Sequence, residues 1–181
     1  MLDWGTLSTL SSLNPGFPFG NVYSFVDGSC VNSTGTPYFY GTFLDQSFID
    51  MKSNPAASFT LSEASMSQCQ RDAFVDKVCT ISLMQGKYAI GGDPESPICA
   101  RLTLTGTLEL VDNGDDEYKF AHRSFLQRHP QMQSWPSDHN WKIAKLRIKE
   151  VWLIDFFGGA TLLDPETYYS AELDAAGKEN W

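Results

Sequence analysis

Residues 129–159, HPQMQSWPSDHNWKIAKLRIKEVWLIDFFGG, limit the possible folds more than any other stretch of this chain. Pro130 stops a preceding helix, because proline lacks an N–H and its ring clashes with the turn before it. An aromatic loop carrying Trp135, Pro136 and Trp141 follows, and Asn140–Phe157 then runs without a glycine or proline. That pattern predicts one long strand. Ala144, Leu146, Ile148, Trp152, Ile154 and Phe156 keep one parity, so one face is apolar except at Glu150. On the other face Lys145, Arg147 and Lys149 give way to Val151 and Leu153. The first half reads as half-solvated and the second as covered on both sides. A strand of this kind leaves a barrel wall and enters a covered region or a subunit contact. A bulge near Glu150 is compatible with the pattern but not required by it.

The remaining elements are short. Leu7–Ser12 reads as a first strand and Asn14-Pro15-Gly16 as a turn. Asn21–Asp27 and Pro37–Thr42 read as strands joined through the glycine-containing loop Asp27–Thr36. Phe43–Ser53 reads as a helix that ends before Pro55, since the residue preceding proline avoids helical dihedrals. Ala57–Leu61 returns as strand. Ala100–Val111 alternates clearly, with Leu102, Leu104, Leu108 and Leu110 on one face and Arg101, Thr103, Thr105, Thr107 and Glu109 on the other. Asp115–Gln127 is a helix with its acidic residues at the positive N-terminal end. Asp164-Pro165-Glu166 starts a last short helix. Many strands with few helices predict a small, mostly antiparallel barrel.

Several of these stretches share wording with a known family. HP-x-M-x-x-WP-S-x-HNW, W-L-I-D-F-F-GG and PETYY, with DWGTLSTLSS, GTPYFYGTFLDQS and the SNP within Lys52–Ala56 upstream, resemble the CREG family of secreted cellular-repressor glycoproteins. The resemblance covers most of the chain and is weakest across roughly Gln70–Pro94. It implies a β-dominated α+β fold, the FMN-binding split barrel, a mostly antiparallel six-stranded barrel with peripheral helices, as one domain over residues 1–181. It also implies a homodimer, for which the loop Ser134–Trp141, with Trp135 and Trp141, is the candidate contact. A secreted or endolysosomal location follows from the same likeness, as do an unknown protein receptor or lysosomal partner and a flavin pocket obstructed by local sequence. The segment Ser67–Pro97 lies where an inserted loop would cover that pocket.

The chain has 181 residues, enough to bury roughly 70% of its unfolded surface without help from disulfides. With 22 acidic against 13 basic residues its net charge is −9, which counts against bare nucleic acid as a direct partner. No run approaches the roughly 20 apolar residues of a membrane-spanning helix. Met1-Leu2-Asp3-Trp4 enters structured sequence at once, so the chain reads as a mature or trimmed product whose signal peptide has been removed. Asn32-Ser33-Thr34 is an N-glycosylation acceptor in a turn-rich setting. Cys30, Cys69, Cys79 and Cys99 have neither zinc nor C-x-x-C spacing. Three disulfide pairings are open to them, and four buried thiols are the alternative. The family likeness favours Cys69–Cys99.

The split-barrel likeness makes an FMN-dependent oxidoreductase of the pyridoxamine-phosphate oxidase type the first enzymatic alternative. A buried phosphate needs compensating cations. Yet Lys52 is the single basic residue before position 71, and Asp45-Gln46-Ser47 stands where flavin-binding relatives offer a basic or histidine residue. No cofactor is therefore expected. FMN remains the alternative, with rescue open from Lys145, Arg147 or Lys149 or from a partner subunit, and a small-molecule binder without redox chemistry is a third. His122 and His129 lack companions at ligand spacing, and His139 lies in the loop, so no metal is expected. Ser11 and Ser12 have no nucleophile-elbow setting, and Glu150 and Asp155 share a strand without any further sign of acid–base pairing. No residue receives a catalytic role.

Overall fold

A computed structural model describes residues 2–29, 32–65 and 94–171. The strands are β1 (Trp4–Leu10), β2 (Pro18–Ser29), β3 (Asn32–Gly41), β4 (Ala56–Ser62), β5 (Arg101–Val111), β6 (Lys142–Ile154) and β7 (Thr161–Leu163). Helix α1 (Gln46–Ser53) joins β3 to β4, α2 (Asp116–Arg128) follows β5, and α3 (Pro165–Tyr169) follows β7. Two 3-10 turns, Pro130–Ser134 and Ser137–His139, carry the chain from α2 to β6.

The strands lie in the order β3-β2-β1-β4-β5-β6-β7, and an additional β3–β6 pairing closes the first six into a barrel. Every ladder among the described residues is antiparallel. β6 is shared between two neighbours on one side. Its first part pairs with β3, from Lys142↔Gly41 to Lys145↔Tyr38, and its last part pairs with β7, from Val151↔Leu163 to Leu153↔Thr161. β5 holds its other edge throughout. The expected departure of this strand from the barrel wall is thus present.

Its facing is not as the sequence suggested. Thr105 pairs with Glu150 but Gly106 pairs with Ile148, so Lys149 is an extra residue in the ladder. This bulge switches parity. Ala144, Leu146 and Ile148 point into the core before it and Val151 does so after it, while Trp152 is only half-buried. The side chain of Gly106 has to be absent, because a Cβ there would collide with the Arg147 carbonyl. β6 is also shorter than expected. Asn140 adopts a left-handed φ of 51°, and the strand ends at Ile154, leaving Phe156 and Phe157 exposed.

Other boundaries shift for local reasons. The expected loop Asp27–Thr36 is largely ladder, with Gly28↔Ser33 and Ser29↔Asn32 paired. α1 starts at Gln46 rather than Phe43 because the Asp45 side chain caps it. Leu110, expected on the buried face of β5, is half exposed, and Val111 is buried in its place.

Two cores result. Inside the barrel Leu7, Phe25, Phe39, Phe59, Leu104, Leu146 and Val151 pack together, with Phe59 edge-on to Phe39 at 4.9 Å and to Phe25 at 5.1 Å. Outside it, α2 lays Ala121 and Phe125 over Val26, Tyr38, Val111 and Ile143. The Arg128 side chain, at the end of α2, is buried. It donates to Asp27 Oδ1 at 3.0 Å and to the Leu2 carbonyl at 2.8 Å, tying helix, hairpin and N-terminus together.

Candidate functional site: the seat at helix α1 and the aromatic loop

In a split barrel of this kind the turn into α1 is the first place to look for a bound phosphate, since helix N-termini offer free N–H groups and a positive field. Here the Ser47 N–H, one of those donors, is spent internally. The Asp45 carboxylate accepts from the Ser47 N–H at 2.9 Å, from the Tyr23 hydroxyl at 2.7 Å and from Asn21 Nδ2 at 3.1 Å. Burial, and then the hydrogen bond to and charge of Asp45, push the Tyr23 phenol well above its usual range, so it stays a donor. One turn further, Asp50 is wholly buried and accepts from Thr9 Oγ1, from both the N–H and Oγ of Ser12, and from Gln46 Nε2, all within 2.6–2.8 Å. Burial alone would raise its carboxyl, but the four donors outweigh burial and hold it below the ordinary carboxylate range. Two carboxylates at the head of α1 therefore make the seat electronegative.

Among the described residues, Lys52, Lys145 and Arg147 are engaged elsewhere. Lys52 lies over the Phe43 ring, 3.8 Å from its centre. Lys145 bonds both oxygens of Glu117 at 2.7 and 2.9 Å, and Arg147 forks onto Glu109 at 2.7 and 3.1 Å. The expected solvated face of β6 is thus paired at these two positions, while Lys149 stands exposed at the bulge.

The second cluster is aromatic. Trp135 and Trp141 meet tilted at 4.7 Å, and Tyr40 stacks on both, at 6.0 and 5.2 Å. Trp141 Nε1 donates to the Pro136 carbonyl at 2.7 Å, and Thr42 Oγ1 donates to the His139 carbonyl at 2.6 Å. The loop is therefore held against β3, and its two tryptophans spend much of their surface on this chain's own Tyr40. His122 stacks nearly parallel on Tyr118 at 5.8 Å and meets Tyr40 edge-on at 5.9 Å. His129 turns the other way, into the core, with Nε2 3.2 Å from the Phe25 carbonyl. His122 and His129 are not brought together, and no group of three or more metal-ligating side chains occurs among the described residues.

The other sequence candidates resolve as follows. Ser11 Oγ accepts from the Asn14 N–H, and Ser12 serves Asp50. Glu150 and Asp155 are both exposed. Asn32 is exposed at the start of β3, and Thr34 Oγ1 donates to the Asp27 carbonyl at 2.7 Å. Cys99 is buried and disulfide-bonded. Cys30, Cys69 and Cys79 lie outside the described residues, as does most of the Ser67–Pro97 segment. Sequence reading missed the Asn21–Tyr23–Asp45 network and the Asp50 cluster, because their members come from β1, β2 and α1. Asp45 alone had a legible signal, as a capping residue directly before Gln46.

A sequence model of one family, described as CREG, beta-barrel, matches residues 2–170. The chain belongs to the CREG family. Among its CREG relatives, Protein CREG1 of Mus musculus is 36% identical over 173 residues, which is 94% of this chain and 70% of that protein. Solved structures share the fold at much lower identity. The "heme binding protein from Mycobacterium smegmatis" superposes with a TM-score of 0.65 at 18% identity, covering 94% of this chain and 56% of that one. A "Putative Pyridoxamine 5'-phosphate oxidase" from Listeria innocua gives a TM-score of 0.50 at 13% identity over 85% of this chain and 90% of that one. The CREG chain thus spans little more than half the Mycobacterium structure. It shares the split-barrel architecture of pyridoxamine-phosphate-oxidase-like proteins, as its sequence resemblance implied.

Proposed function

We propose that this CREG-family chain is a non-catalytic protein with a degenerate flavin pocket, acting through protein–protein contacts in a secretory or endolysosomal lumen. The observation that carries this reading is Asp45. A carboxylate already takes the Ser47 N–H at the head of α1 together with the Tyr23 hydroxyl and Asn21 amide, and a phosphate brought there would meet Asp45 and Asp50 with Lys52 turned onto a ring. Desolvating a phosphate against two carboxylates is unfavourable unless a cation pairs with it. The glycan at Asn32 and a Cys69–Cys99 disulfide belong to the same reading, supported by an exposed acceptor and by a bonded Cys99.

A homodimer completes it. Two copies of a chain with net charge −9 repel unless they meet through an uncharged face. One such row crosses the outer wall, from Val22 through Thr6, Thr60 and Thr103 to Trp152 and Leu162. Val22 and Leu162 are each 65% exposed, so apolar surface waits at both ends. Trp135 and Trp141 remain the second candidate contact.

The competing reading is an FMN-dependent oxidoreductase, favoured by the fold shared with the Listeria protein. A visible absorption spectrum of the purified protein, followed by calorimetric titration with FMN, separates the two. A colourless protein without binding heat is expected. A yellow preparation, a haem Soret band or saturable FMN binding overturns the proposal.

A further inference from the structure

A groove of about 560 Å³ runs along the outer side of α2, lined by Asn113, Asp116, Tyr118, Lys119, His122 and Arg123. That volume falls in the range of small-ligand sites. Its chemistry is graded along the helix. Asn113 and Asp116 stand at one end and Arg123 at the other, seven residues on from Asp116, or about 10 Å at the α-helical rise. Between them the parallel Tyr118 and His122 rings form a half-buried wall that continues through Tyr40 to Trp141.

Arg123 is the distinctive member. Its Nε donates to the Lys119 carbonyl at 3.2 Å, which leaves both terminal nitrogens to project. No carboxylate among the described residues pairs with it, whereas Arg128, Lys145 and Arg147 all have such partners. A planar fork held at its base suits bidentate capture of a carboxylate. Lys119 pairs with Asp116 at 2.7 Å, but both side chains are largely exposed and such a pair opens at little cost. The acidic first turn of α2 repels an anion from the Asp116 end, so a ligand's negative group is directed to Arg123. At the opposite end the Asn113 amide and Asp116 carboxylate offer acceptors and donors for hydroxyl groups.

We propose that this groove binds an acidic sugar about two rings long, its carboxylate on Arg123, the apolar face of one ring against Tyr118 and His122, and its far hydroxyls on Asn113 and Asp116. The length, the aromatic wall between polar ends and the unpaired Arg123 fork match that ligand class. An acidic peptide would share only the charge.

The test is calorimetry and saturation-transfer NMR on the whole protein, with cellobiouronic acid, neutral cellobiose and a glutamate-rich peptide as probes. The uronate should bind saturably and at least tenfold more tightly than cellobiose. Arg123→Gln, an exposed change, should erase that preference, while His122→Ala should weaken both sugars at a melting temperature that shows the fold intact. Absence of sugar binding at millimolar concentration, a preference unchanged by Arg123→Gln, or binding of the peptide in place of the sugars overturns the assignment.

Discussion

Asp50 has no solvent to fall back on, so its four donors decide what it contributes to stability. Replacing it by Asn turns one acceptor oxygen into a donor facing other donors, and hydrogen bonds to a charged group are each worth about 1.5–3 kcal/mol. Asp50→Asn should therefore lower unfolding free energy by at least about 2 kcal/mol in urea denaturation near neutral pH. Its pH dependence has a definite sign. The folded carboxyl lies below its ordinary value, so its stabilisation is complete above the unfolded pKa of about 3.9 and is lost only as pH falls through the depressed folded value. The gap between wild type and Asp50→Asn should hold constant down to about pH 4.5 and close below that. Arg128 offers a parallel case. Arg128→Met leaves Asp27 half-buried without its partner, and a cost of about 3–5 kcal/mol is expected, read by the same denaturation.

At the scale of elements, β6 carries one surplus residue. Lys149 is exposed, so Lys149→Ala should stay within about 0.5 kcal/mol of wild type. Deleting Lys149 removes the bulge without reversing either face, since Ile148, Glu150 and Val151 then pair consecutively with Gly106, Thr105 and Leu104, and the deleted chain should keep a cooperative melt. Gly106→Ala, opposite the bulge, should cost more than about 1 kcal/mol, because backbone rather than a flexible side chain blocks the new methyl. These features also mark where sequence was informative. Alternation located β5 and β6, and proline and glycine located their ends, because period and punctuation are local properties. The bulge was left open since Glu150 and Lys149 are polar under either register. Likewise Asp45 was visible as a poor phosphate neighbour, but not as the acceptor of Tyr23 and Asn21. Those contacts depend on β2 lying beside α1, which no local pattern encodes.

At the scale of the whole molecule the charge balance and the uncharged outer row act together. Light scattering should give a dimer, and Val22→Lys should shift it toward monomer by placing a charge at the end of that row. A dimer that survives Val22→Lys but dissociates on Trp141→Ala would instead assign the contact to the aromatic loop. The two outcomes are distinct, because Trp141 stacks on Tyr40 at β3 while Val22 faces outward from β2 opposite Thr6.

The closing β3–β6 ladder joins Tyr38 to Lys145, partners separated by over half the sequence. A chain growing from a ribosome can form the β1–β2 and β2–β3 hairpins early, since their contacts are local. The cylinder can shut only after β6 has emerged. Until then Phe39, Phe59 and Leu104 have lining on one side only. Folding should accordingly be slow for this length, as long-range pairing demands, and the half-built wall is the species a chaperone would meet.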